Sequence, residues 1–230
     1  MKLTKLHIEQ LYKFTREHFV EHYDVQTELV DHLANDIEQI WVEQPHLKFE
    51  QARDVSFKKF GIFGFMNVVE ENQKQLSKKY YKIILGFVKE WFTFPKIILT
   101  ITLAFLFYTL QKLPNAYYIF VVIYGVIVIS EFAMMFRRKR ILKKKFNQSG
   151  KKWMFEDIIE NQGYGNIAFI TYYCFQFFTP DNFENLSLIG NIFVSIVITL
   201  AIIVGYITLY IIPKKSGELL EEHYLEYKLV

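Results

Sequence analysis

A single cysteine, Cys174, in 230 residues excludes an intrachain disulfide and any two-cysteine zinc pattern. It fits a reducing compartment. There is no phosphate-binding glycine loop, Walker motif or GxSxG elbow, so the residues give no positive sign of an enzyme. The chain is therefore expected to be non-enzymatic, with no catalytic residue, cofactor or resident metal. Five prolines and ten glycines form no long linker, and no internal repeat or low-complexity tract appears. Residues 1–93 carry 13 Lys/Arg against 14 Asp/Glu, which lacks the basic excess that nucleic-acid binding requires. The opening residues lack the continuous apolar core of a signal peptide, so the first span is expected to act as an uncleaved signal-anchor.

Apolar residues, by contrast, are plentiful. They make up 52% of the chain, with 23 Phe and 15 Tyr, and the mean hydropathy is slightly positive at +0.13. That balance suits one polar domain joined to one membrane domain. Apolar runs of about 20 residues match a hydrocarbon core roughly 30 Å thick. Four spans are predicted, at about 93–111, 117–136, 164–179 and 188–212. Lys96 is expected to snorkel to the headgroups. Between the second and third spans, residues 137–152 carry nine cations and no acid: Arg137, Arg138, Lys139, Arg140, Lys143, Lys144, Lys145, Lys151 and Lys152. Short Lys/Arg-rich loops stay cytoplasmic, so loop 137–163 and both termini are predicted inside. The turns at 112–116 and 180–187, poor in basic residues, are predicted outside. The same loop suits anionic headgroups. Its Lys151–Ile159 stretch reads either as an interfacial helix or as a linker with aromatic anchors.

Residues 1–90 read as a small domain of four amphipathic helices. The first runs over about 4–22. Asp24 is a candidate cap for the second, which carries the stripe Val25, Leu29, Leu33, Ile37, Ile40 and Trp41. Gln44-Pro45 ends it. A short helix over 49–60 closes at Gly61, a left-handed cap candidate. A longer one starts near Phe65. Residues 214–230 form a tail.

Candidate chemistry is sparse. His18 and His22 at i, i+4 would share a helical face, and Glu17, Glu21 and His32 could add ligands. No cysteine and no HExxH pattern supports a metal, which favours a solvated or packing face. Glu131 in the second span is either a carboxylate paired with Arg137 and Arg138, or part of a polar path with Gln176 and Tyr172-Tyr173. The interrupted helices and internal symmetry of a transporter are not visible in the sequence. Cys174, among aromatics, reads as a packing thiol. Gly190, Ser195, Thr199 and Gly205 permit close helix approach, a signal with which an oligomer is compatible.

Glu28-Leu29-Val30-Asp31-His32-Leu33, Asp36-Ile37-Glu38, Phe49-Glu50-Gln51-Ala52 and Phe60-Gly61 together resemble a known pattern. It is that of the HAAS signalling domain, or permease prefix domain, of bacterial membrane proteins, matched over about residues 25–75. The connector Pro45-His46-Leu47-Lys48 and the segment Ile62-Phe63-Gly64-Phe65 depart from it. The resemblance implies a cytoplasmic helical module coupled to spans, often beside a transcription regulator or transporter, and it carries no catalytic residues. Leu29, His32, Leu33, Ala52, Phe60 and Gly61 are the expected integrity residues.

The expectation is thus an all-α protein of a bacterial inner membrane, multi-pass, with a cytoplasmic helical domain before four spans. Its expected role is regulation or interaction, with a cytoplasmic or membrane protein as partner and the spans anchoring or sensing. A small transporter or transporter subunit using Glu131 and Gln176 is the alternative.

Overall fold

A computed structural model describes residues 2–221. Every regular element among them is helical. In chain order these are α1 (Lys5–Glu17), α2 (Tyr23–Glu43), α3 (Phe49–Lys58), α4 (Met66–Glu90), α5 (Lys96–Leu110), α6 (Ala116–Ser149), α7 (Met154–Phe178), α8 (Leu188–Tyr206) and α9 (Ile212–Glu221). A 3-10 turn at Phe183–Asn185 precedes α8, and a π turn at Ile207–Ile211 joins α8 to α9. The chain divides into two compact units.

The first unit holds residues 2–78 and 149–157 of the described chain. Thr4 Oγ1 accepts from the His7 amide and His7 Nδ1 accepts from the Thr4 amide, a reciprocal cap that starts α1. α1 ends earlier than expected because Phe19 adopts a left-handed φ of 64°. The α2 stripe is buried as its spacing requires: Leu29, Leu33 and Ile37 are fully enclosed, with Leu11 of α1 and Ala52 of α3. Trp41 Nε1 donates to the Leu47 carbonyl at 3.0 Å and pins the turn after α2. Asp24 does not cap α2, which begins one residue before it. Its carboxylate instead accepts from the Met154 amide, at 3.2 Å to each oxygen, and so caps α7 from 130 residues away.

The second unit holds residues 79–148 and 158–221 of the described chain. Its core joins Phe107 of α5, Phe120 and Tyr124 of α6, Cys174 of α7, Phe183, and Val194 and Ile198 of α8. α5 packs along α8, where Gln111 Nε2 donates to Ser195 Oγ at 2.7 Å. Two helices, Ala116–Ser149 and the continuous Leu188–Glu221, are long and apolar enough to cross a membrane. Each has 34 residues, about 51 Å at the α-helical rise. Only 11% of the apolar window of α6 is buried, unlike the core helix of a water-soluble protein. α5 has 15 residues, about 22 Å, which is shorter than the span expected there.

The segment expected as a basic loop is largely helix. α6 runs through all seven cations from Arg137 to Lys145, because Lys and Arg are good helix formers and no breaker intervenes before Gly150. Gly150, at φ 64°, supplies the left-handed stop. Helix also continues beyond Pro213, where an end was expected. A proline ring clashes with the carbonyl four residues back, and the widened π turn just before it relieves that clash. Residues 222–230 of the expected tail lie outside the described residues.

Candidate functional site

Unit 1 has a rigidly built surface loop. Gly61 (φ 78°) and Gly64 (φ 53°) both take left-handed backbone and turn the chain between α3 and α4. Phe65 then plunges into the core at 1% exposure, its ring 4.8 Å from Phe57 and 4.9 Å from Phe60 in edge-on contacts. A Cβ on Gly64 would lie 2.9 Å from the Phe57 ring, so that position needs glycine for space as well as φ. Held between these anchors, Ile62 and Phe63 are 100% and 70% exposed. Of the expected integrity residues, Leu29, Leu33 and Ala52 are buried and Phe60 is half-buried. His32 is exposed and meets Phe60 edge-on at 5.4 Å.

The 149–157 segment is bound to the start of α2 by a charged clasp. The Tyr23 amide donates to the Lys152 carbonyl at 2.7 Å. Lys152 Nζ lies 2.8 Å from Asp157 Oδ2 and 2.9 Å from Glu21 Oε2, and His22 Nε2 donates to Asp157 Oδ2 at 3.0 Å. Burial opposes ionisation of Asp157, but the hydrogen bonds from His22 and Lys152 outweigh it and hold its carboxyl below the usual range. The hydrogen bond from Lys152 likewise lowers Glu21. Burial disfavours the charged Lys152, yet its bonds to Asp157 and Glu21 win and raise it. Trp153, Met154 and Phe155 are at most 2% exposed, so they are neither headgroup anchors nor an interfacial face. Trp153 packs on Tyr23 at 5.5 Å.

His18 and His22 do not share a helical face, because α1 stops at Glu17 and α2 starts at Tyr23. His18 Nδ1 bonds the Phe14 carbonyl at 2.8 Å and its ring lies 4.5 Å from Phe57, whereas His22 serves the clasp. Among the described residues no three His, Cys, Asp or Glu side chains converge as a metal-holding group, so Glu17, Glu21 and His32 add no ligands.

In unit 2, Glu131 does not pair with Arg137 or Arg138. Its Oε1 accepts from Thr171 Oγ1 at 2.6 Å. Arg138 turns inward to Glu160 Oε1 at 2.7 Å and Ser216 Oγ at 2.8 Å, which removes it from the cations expected to face lipid. Arg137, Lys139, Arg140, Lys143 and Lys144 are exposed, and Lys145 is half-buried. Gln176 is exposed on α7 with Tyr172 and Tyr173, and it does not line the cavity beside Glu131. The polar path expected from Glu131 to Gln176 is therefore not formed: five residues apart on α7, Thr171 and Gln176 fall on different faces.

No family model, curated protein or solved structure matches this chain.

The fixed Ile62-Phe63 presentation was not readable from sequence, where the segment was a short connector between helices. Two nearby glycines were the available signal. The clasp was hidden for another reason, since its partners are 131 and 135 residues apart.

Proposed function

We propose that the protein is a membrane-anchored interaction module whose first unit docks a protein partner on the cytoplasmic side of a bacterial inner membrane. The observation that carries this reading is the 61–64 loop. Two exposed large apolar side chains on a backbone fixed by left-handed glycines and a buried Phe65 form a preordered anchor pair. A backbone already held in place loses less freedom on binding, which is how a small patch gains affinity. The resemblance to prefix domains supports the same role. The second unit anchors the module, with the exposed cations of α6 attracting anionic headgroups at about 1 kcal/mol each.

Site-specific photo-crosslinking in cells tests this. A photoreactive residue at Phe63 is expected to give one discrete protein adduct, absent when the probe sits at exposed Glu9. The adduct should weaken at least tenfold when Ile62→Ser is added. Adducts to lipid alone, or the same adducts from both positions, would remove the loop as a protein-docking site.

A further inference from the structure

A cavity of about 300 Å³ lies within unit 2 between α6, α7 and the α8–α9 helix. Ile127, Ile198 and Ile202 furnish much of its wall, and Glu131 and Thr171 stand in the lining. An apolar pocket with a few converging polar groups is the usual form of a small-molecule site. We propose that this cavity binds an apolar small molecule carrying a hydrogen-bond-donating head, with the head on Glu131.

The Glu131 carboxyl has work left to do. A carboxyl inside an apolar helix is costly and is normally matched by a cation or several donors. Here the nearest cations are engaged elsewhere or exposed, and Thr171 supplies one hydrogen bond to Oε1. Oε2 takes none from the described residues. Neighbouring Ser130 cannot help, because its hydroxyl donates to the Ile127 carbonyl at 2.7 Å. The unused acceptor is therefore left for a ligand donor, either an amine or a hydroxyl.

The cavity wall is also irregular where regularity would be cheaper. Tyr206 and Tyr210 line it across the π turn, their rings stacked at 5.2 Å. Single π turns recur at functional sites because they re-aim side chains without ending the helix. Gly205 completes this wall, and a Cβ there would meet nothing within 4 Å. The space beside it is unfilled by protein although a helix interior favours almost any residue over glycine. A cavity of ~150 Å³ accepts one benzene ring, so this one accepts roughly a dozen non-hydrogen atoms.

The test uses the full chain in phosphatidylcholine nanodiscs with three matched probes: 4-phenylbutylamine, 4-phenylbutanol and butylbenzene. At about ten times the dissociation constant, a bound probe is expected to raise Tm by about 3–6 °C. The amine, the alcohol or both should do so, and butylbenzene should do so less. The amine alone would assign a cationic head, and a response to the alcohol would assign a neutral donor. Glu131→Gln should abolish the amine's advantage. Gly205→Leu, which fills the cavity from a position with room for a side chain, should abolish every response. Three flat responses would overturn the proposal, as would shifts unchanged in both variants or a butylbenzene shift equal to the others. Either variant decides it if the other fails to fold. The phosphatidylcholine acyl chains compete throughout, so a cavity that serves only as a lipid berth would also read as flat.

Discussion

Gly61 and Gly64 differ in what they ask of the chain. At Gly61 a side chain has open space around it, so the cost of substitution is backbone strain alone. Left-handed backbone costs an L-residue roughly 1–2 kcal/mol, more when β-branched. Gly61→Val should lower Tm by about 2–8 °C in thermal melts of the full chain. Gly61→Asn should cost less, since asparagine tolerates this region. Gly64→Ala adds collision with the Phe57 ring to the strain and should be worse than Gly61→Ala. Equal melts for those two alanine variants would show that the ring moves aside freely. Gly61 was legible in the sequence because helix ends recruit left-handed glycine. Gly64 was not, because its demand comes from a ring seven residues earlier that only tertiary packing brings near. Asp24 misled for a related reason. Its residue type announces a cap, and it is one, but for a helix that begins at Met154.

Among the elements, the 149–157 segment depends most on charge. Asp157 is ionised more readily in the folded protein than in the unfolded chain, so its contribution is present above about pH 4. That contribution is lost as pH falls through the lowered folded value. Lys152 behaves oppositely: its folded value is raised, so its contribution holds below about pH 10 and is lost as pH climbs through that value. Hydrogen exchange of the segment should therefore be slowest between about pH 5 and pH 10, after correction for intrinsic rates. Asp157→Asn should loosen it by about 1–3 kcal/mol across that window, since both His22 and Lys152 lose their charged acceptor. Protection unchanged in Asp157→Asn would show that Trp153 and the Asp24 cap hold the segment without the clasp. The basic helix upstream was half-legible. Its charge is plain in the sequence, but falling hydropathy marks the end of an apolar span and not the end of a helix, which depends on propensity and on breakers. The clasp left no local trace, because each of its members is an ordinary polar residue in its own stretch.

For the whole molecule, the contacts within each unit constrain how often the chain crosses a membrane. Residues 149–157 fold with the start of α2, so both lie on one side of any bilayer. Between them the chain crosses an even number of times. If the long α6 crosses, α5 must cross as well, although its 15 helical residues fall short of a hydrocarbon core and the flanking Trp91, Phe92 and Phe94 must help. A second tie acts in the same way. Arg138 holds both Glu160 and Ser216, so the chain leaving Glu160 must return to that level by Ser216. If α8 crosses, α7 crosses too. Two helices are long and apolar enough to cross a membrane; if both cross, these ties predict four crossings, with both ends of the described chain on the cationic side. Single cysteines on a Cys174→Ser background can read this directly with a membrane-impermeant label. Asn115→Cys and Glu184→Cys should label in intact cells, while Glu9→Cys and Lys144→Cys should label only after permeabilisation. A two-crossing arrangement by α6 and α8–α9 alone gives a different pattern: Asn115 would share the side of Glu9, and Glu184 the side of Lys144. That pattern would also separate Glu21 from Lys152 by a bilayer, so it would refute the clasp and the four crossings together.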